Sequence, residues 1–281
     1  MESYLRYNKI IGDNIEIFHK GTRDIKDINV LKCKDTGILF LDKNIQTNYE
    51  KHTLNYWKSF DLKKARENTY KDDFRRYLII ENLLKKDTKL LDFGCGNGGF
   101  LNLINKGEKC GIELNKEIVE FLKKEDFNIE NNIEIFDEKF DIICMFHVLE
   151  HLPEPVEILK NIKNKMSKDS LLIIEVPHSN DILIKKYNCE KFKDFTFWSE
   201  HLILYTKETL KKILQLSGFE NIEIYGEQRY NIFNHLHWLS KGEPGGDKKF
   251  DLYDANLIEN YNNFLKDNYM TDTLIAKVKI N

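Results

Sequence analysis

A chain of 281 residues with 41% hydrophobic and 32% charged side chains is long enough for a large buried core and too apolar to be disordered. Its 43 basic and 46 acidic residues leave a net charge of −3 and are interleaved rather than gathered into a stripe, which argues against a nucleic-acid or membrane-surface partner. The longest apolar runs, such as LLII before Glu175, fall far short of the roughly 20 residues of a bilayer span. MESYLRYNKI has no apolar signal-peptide core, and the five cysteines stand singly without a C-x-x-C pair. The cytoplasm is therefore the expected location, and no metal is expected.

Residues 1–45 alternate short polar and apolar stretches and predict a small β-rich appendage. Residues 46–88 form a helical lead-in, where DLKKARENTYKDDFRRYLIIENLLKK carries apolar positions at helical spacing. The remainder, 89–281, is expected to be the core domain, with an insertion at 229–270. In it the strand KLLDFG runs into a glycine turn and a helix near 98–106. KCGIEL is a second strand, NKEIVEFLKK the helix after it, and FNIENNIEI holds a third strand. FDIICMFH is the fourth, followed by a helix that opens at LPEP, where Pro155 suits the first turn; SLLIIEVP is the fifth, closed by Pro177. Strands apolar on both faces alternating with amphipathic helices predict a doubly wound α/β fold, Rossmann-like, on a mostly parallel sheet. After the helix TKETLKKILQLSGF come NIEIYGEQ, the insertion and a last strand, TLIAKVKI. No helical pattern separates these two strands cleanly, so the last is expected to be antiparallel.

The ligand of such a sheet sits at the carboxyl ends of its strands, beside the glycine turn. Within LLDFGCGNGGF, Gly94, Gly96 and Gly99 complete the G-x-G-x-x-G of dinucleotide enzymes. Gly94, Cys95, Gly96 and Gly98 equally form G-x-G-x-G, with Asp92 two residues ahead. A carboxylate there repels a pyrophosphate and attracts the ammonium and sulfonium of S-adenosylmethionine. Glu113, closing the second strand, can accept from ribose hydroxyls of either cofactor.

LLDFGCGNGG, GIELN, FDIICMFHVLEHLPEPVEILKNI and LLIIEVP, in this order, resemble the class I S-adenosylmethionine-dependent methyltransferases over roughly residues 55–228. HVLEHL is similar to the small-molecule branch, which includes ubiquinone-pathway O-methyltransferases and methyltransferases of bacterial surface-polysaccharide clusters. FWSEHLILYTKETLKKILQLSGF, QRYNIFNHLHWL and TDTLIA resemble the latter group. The resemblance implies that Asp92, Gly94, Gly96 and Gly98 surround the methionine end and that Glu113 and Leu114 meet the ribose. Asn132 and Ile133 fall beside adenine, an amide standing where the family often has an acid, and Phe146 and His147 line the cofactor. It also likens VLKCKDTGILFL to a degenerate zinc ribbon, with Thr36 at a cysteine position and no metal bound.

Methyl transfer to oxygen needs collinear placement of the nucleophile and removal of a proton, for which histidine is suited. His147 and His151 after the fourth strand, His178 after the fifth and His201 before the next helix are the candidates, with Glu150 and Glu200 placed to orient two of them. Each has a plainer role open to it as a cofactor-lining, capping or buried structural group. The insertion segment QRYNIFNHLHWLSKGEPGG is expected to cap the acceptor pocket or supply a homodimer contact, its plain alternative being a hairpin that packs Trp238 into the core. Trp57 with Arg76 is expected to close over the cofactor. The chain lacks [DNS]-P-P-[YFW] after the fourth strand and any Pro-Cys dipeptide, features of nucleic-acid methyltransferases. The expected acceptor is a small molecule or a sugar-linked group of capsule or lipopolysaccharide biosynthesis. The alternatives are a quinone-pathway phenol, an NAD-dependent oxidoreductase reaction, or cofactor binding without turnover.

Overall fold

The computed structural model describes residues 1–43, 62–246 and 254–280, so Trp57 lies outside the described residues. The chain opens with a short helix, α1 (Glu2–Tyr7), before three strands, β1 (Ile15–His19), β2 (Val30–Cys33) and β3 (Leu39–Leu41). A long helix, α2 (Leu62–Ile80), leads into β4 (Lys89–Phe93), α3 (Gly99–Leu103), β5 (Glu108–Ile112), α4 (Lys116–Lys124) and β6 (Asn128–Glu130). Then follow β7 (Phe140–Phe146), α5 (Pro155–Asn164), β8 (Met166–Pro177), α6 (Ile182–Lys185), α7 (Glu190–Thr196), β9 (Ile203–Leu204), α8 (Lys207–Leu216) and β10 (Asn221–Glu227). Two helices, α9 (Ile232–Lys241) and α10 (Ala255–Asp267), precede the last strand, β11 (Thr273–Lys279).

Seven of these strands form one sheet in the order β10-β11-β8-β7-β4-β5-β6. The pairs β4–β5, β5–β6, β4–β7 and β7–β8 are parallel, whereas β11 runs antiparallel to both β8 and β10. The antiparallel last strand thus slots between its two neighbours rather than extending the sheet. Because β11 runs backwards, its first residues lie at the edge where the parallel strands end: Thr273 pairs with Pro177 and with Glu227.

Alternation along each strand sorts the core into two layers. Leu90, Ile142, Cys144, Ile173 and Ile275 face α2, α3 and α4, which contribute Ile80, Phe100, Leu101, Ile118 and Leu122. Leu91, Ile143, Met145, Ile174 and Ala276 face the other way, toward Val156, Leu159 and Ile162 of α5 and Leu210, Ile213 and Leu214 of α8. Burying a side chain of this size contributes roughly 1.5–3 kcal/mol.

The N-terminal strands β1, β2 and β3 pair antiparallel, and the helix α1 ahead of them was not legible. The sheet β1-β2-β3 is completed by β9 from the far side of the chain, with Phe40 opposite Ile203. Leu5, Ile28, Val30, Ile38 and Phe40 belong to the same apolar cluster as the α5 and α8 layer. Asp24 accepts from Ser199 N at 3.1 Å and Ser199 Oγ at 2.5 Å. The N-terminal segment is thereby built into the wall of the main domain.

Candidate active site

The loops that follow the parallel strands converge on a cavity of about 1100 Å³. After β4 the chain bends through Gly94 at φ 85° and Gly96 at φ 50°, a region that side-chain-bearing residues rarely visit. A Cβ on Gly94 would lie 2.4 Å from Val148 Cγ2, while one on Gly96 would meet nothing within 4 Å. Gly94 is therefore required by packing, and Gly96 leaves open space beside the cavity it lines.

Cys95 and Asn97 also border the cavity, but Gly98 does not. Gly98 is the N-cap of α3 at φ 71°, and a Cβ there would press on Leu122 at 2.9 Å, so this glycine serves the packing of α3 against α4. Asp92 too is absent from the cavity wall, with only 3% of its surface exposed. The two-residue repeat of β4 turns it onto the face covered by α2, where burial pushes its carboxyl up to about 7 against the opposing pull of Arg76. The acids that border the cavity at this end are Asp72 and Asp73 of α2 and Glu113 after β5.

Glu113 is a fixed group rather than a mobile one. Its Oε2 accepts from Gly96 N at 3.0 Å and its Oε1 from Asn115 N at 2.8 Å. Burial raises its pKa, with those N–H groups working against the rise. Leu114, Asn132 and Ile133 line the cavity beside it, and Asn132 Oδ1 caps a short helical turn by accepting from Glu134 N at 3.0 Å. Phe146 and His147 follow at the end of β7, with the Arg76 guanidinium 5.0 Å over the Phe146 ring.

The charged network behind this wall was not visible in the sequence. Glu175, fully buried in β8, accepts from Arg75 Nη2 at 2.6 Å and Arg76 Nε at 2.8 Å, which ties α2 to the sheet. Burial opposes its ionisation, but Arg76, His147 and Arg75 hold it well below the usual carboxylate range. His147 sits at φ 55°, its Nδ1 3.0 Å from Glu150 Oε1 and its Nε2 3.3 Å from Arg229 Nη1. Burial alone would depress its pKa; Glu150 and Glu175 outweigh that and raise it. Arg229, after β10, is itself held by Asp272, which accepts from Arg229 Nε at 2.8 Å and Arg229 N at 3.0 Å. A signal for these partners was present only as isolated charges in otherwise apolar strands, such as the glutamate in LLIIEVP.

All four candidate histidines border the one cavity. His178 Nδ1 lies 3.0 Å from the Thr271 carbonyl oxygen and its Nε2 is buried with no hydrogen-bond partner. Burial pushes this ring down to about 3. His151 and His201 meet edge-to-face at 4.9 Å, with Trp198 against both. Burial lowers both, His201 to about 3, and Glu150 nearby falls to about 2 because His147, His151 and His201 overcome its own desolvation. Glu200 lines the same end. The insertion segment forms the helix α9 rather than a hairpin. Asn234, His235 and Trp238 of that helix border the cavity, and Trp238 also packs on Phe192 at 5.2 Å.

A family profile described as methyltransferase domain matches residues 62–224, more than half of the chain. The chain belongs to this methyltransferase family. Its antiparallel β11, inserted between β8 and β10, gives the class I fold of S-adenosylmethionine-dependent methyltransferases. A crystallised S-adenosylmethionine-dependent methyltransferase from Archaeoglobus fulgidus is 25% identical, with a TM-score of 0.51 over 76% of this chain and 94% of its own. An uncharacterised protein of Methanocaldococcus jannaschii is 26% identical over 69% of this methyltransferase and 90% of its own length. A demethylmenaquinone methyltransferase from Staphylococcus carnosus is 21% identical over 73% and 94%. A tRNA U34 carboxymethyltransferase from Aliarcobacter butzleri is 28% identical over 60% of this chain but only 58% of itself.

The residues present fit the family's cofactor. Gly96 leaves room for a ligand against the backbone, Glu113 presents a fixed carboxylate, and Asp72 and Asp73 border the glycine end together with Arg76, whose Nη1 lies 3.5 Å from Asp73 Oδ1. Among the described residues no helix is long and apolar enough to cross a membrane.

Proposed function

We propose that this methyltransferase methylates an oxygen of a small polar acceptor in the cytoplasm, a sugar nucleotide, glycan or related intermediate of surface-polysaccharide assembly. The observation that carries the reading is His178: a buried Nε2 without a protein partner, on the wall of the same cavity as the glycine bend. With Nδ1 donating to Thr271 O, the neutral ring must present its lone pair at Nε2. An acceptor hydroxyl is the group that satisfies it.

Gly94, Cys95 and Gly96 would shape the methionine end, with Asp92 acting on it from behind the wall and Gly98 only setting the packing of α3, while Glu113 and Leu114 would meet the ribose and Asn132, Ile133, Phe146 and His147 form the remaining wall. Bound there, S-adenosylmethionine supplies an electrophilic methyl group whose leaving group is a neutral thioether. His178 holds the acceptor hydroxyl and takes its proton at Nε2. Burial makes this imidazole a weaker base than a free one, so it would take the proton only as the new bond to carbon forms and the alcohol oxygen becomes strongly acidic. Trp198, Tyr230 and Trp238 line the cavity and would give a sugar ring aromatic edges to pack on. A quinone-pathway phenol is the second acceptor class, favoured by a likeness over 102 residues, 30% of this chain, to a ubiquinone biosynthesis O-methyltransferase of Actinobacillus pleuropneumoniae, 29% identical.

The test is an acceptor screen with mass detection of one added methyl group, run on sugar nucleotides and on phenols, alongside thermal-shift titration with S-adenosylhomocysteine and NAD. Stabilisation by S-adenosylhomocysteine with methylation of a sugar hydroxyl supports the proposal. Methylation confined to phenols replaces the acceptor, and stabilisation by NAD alone ends the reading.

A further inference from the structure

We propose that Glu150, His151 and His201 form a divalent-metal site of the zinc class in the wall of the acceptor cavity. The sequence pattern predicts no metal, because it holds no cysteine pairs and these residues lie on two separate segments. Folding brings them together. Glu150 and His151 sit on one short helical turn after β7, His201 comes from the loop after α7, and one donor atom of each lies within 4.8 Å of the others.

Three features distinguish this from ordinary packing. Glu150 is fully buried, and while its Oε1 meets His147, its Oε2 has no hydrogen-bond partner, which leaves one carboxylate oxygen with acceptor capacity for a cation. Its Oε1 is held by His147 Nδ1 at 3.0 Å, the kind of outer hydrogen bond that orients a ligating carboxylate. Both histidine rings border the cavity, so a bound ion would keep an open coordination position toward it. Two imidazoles and one carboxylate with a vacant fourth position are a donor set that suits Zn(II), Co(II) or Ni(II) and not Mg(II). The carboxylates of Asp24 and Glu200 border the same end, against the guanidinium of Arg23, which lies 4.3 Å over the Trp198 ring.

The site rests on the methyltransferase reading only for its purpose. An ion there would ligate the acceptor oxygen and lower the pKa of its hydroxyl, so that even the weakly basic Nε2 of His178 could take the proton as the methyl group arrives and the cofactor leaves as its thioether. Binding itself is independent of turnover and is measured first.

The full-length protein, stripped with chelator, is dialysed against Zn(II) or Co(II) alone and its metal content determined, with visible absorption of the Co(II) form reporting coordination. The expected result is one ion per chain and d–d bands of a four- or five-coordinate ion. Glu150→Gln and His201→Ala, each verified as folded by circular dichroism, should weaken binding by at least ~10-fold. His19→Gln, which removes the imidazole beside Glu190 and Asp194, should not change it. No bound ion, or binding undiminished in both Glu150→Gln and His201→Ala, overturns the proposal. Because S-adenosylhomocysteine stabilisation is read separately, either result leaves the methyltransferase assignment where it stands.

Discussion

His178 and Thr271, 93 residues apart, meet through a 3.0 Å hydrogen bond between the imidazole Nδ1 and a backbone carbonyl. That bond can exist only because β11 runs antiparallel and returns its leading residues to the carboxyl edge of the sheet. It fixes which nitrogen of His178 carries the proton.

Replacing His178 should therefore strike turnover and spare the cofactor. His178→Gln is expected to lower kcat on the identified acceptor by about 10²-fold or more. S-adenosylhomocysteine affinity, measured calorimetrically, should stay within about two-fold. Equal losses in both quantities would mean that the ring is structural.

The glycine bend makes a paired prediction. Gly94→Ala forces a Cβ into Val148 at 2.4 Å and should destabilise the fold by roughly 1–3 kcal/mol, seen as a lowered Tm. Gly96→Ala meets no protein atom within 4 Å. It should cost only the roughly 1–2 kcal/mol of a left-handed residue, which Gly94→Ala bears in addition to its clash, so its Tm should fall less than that of Gly94→Ala while cofactor binding weakens. If Gly96→Ala binds cofactor as the parent does, the open space beside it is not the cofactor site.

Glu175 joins α2 to β8 through two arginines. Removing it as Glu175→Ala leaves two guanidinium groups without their carboxylate and should cost about 3–5 kcal/mol in denaturant unfolding. Its folded pKa is depressed, so its contribution is fully present above the ordinary value of 4.5 and is lost as pH falls through the lower folded value. The deficit between variant and parent should accordingly shrink in acid.

Asp92 titrates in the opposite sense. Its folded pKa of about 7 lies above the ordinary 3.8, so ionising it costs the folded protein increasingly as pH rises between those values. A bound cation offsets that cost. Affinity for S-adenosylmethionine should rise with pH through about 7 and then level off, more steeply than affinity for S-adenosylhomocysteine, which lacks the sulfonium charge. Asp92→Asn should flatten the curve. Calorimetry across that range decides the matter, and an affinity for S-adenosylmethionine that stays flat through about pH 7 would show that the carboxylate does not act on the ligand.

The strand and helix order from Lys89 to Pro177, the helix and strand that follow at 207–227, the parallel core and the reversed last strand were legible in residue order, because hydrophobic period and glycine or proline punctuation are local properties of a chain, whereas α6, α7, β9 and the two insertion helices were not. So was the candidate cavity as a set of strand-end loops, since side chains that follow parallel strands must share one edge. What residue order could not supply was which way each charged group faces and what it meets. Asp92 reads as part of the bend, yet the alternation of β4 turns it under α2. Arg75, Arg76 and Glu175 read as unrelated charges a hundred residues apart. The joining of β9 to the N-terminal sheet, and the meeting of Glu150, His151 and His201, likewise depend on distances between segments with no common period. Local pattern determines elements, whereas partners of buried charge are selected by packing, and only the tertiary structure decided those.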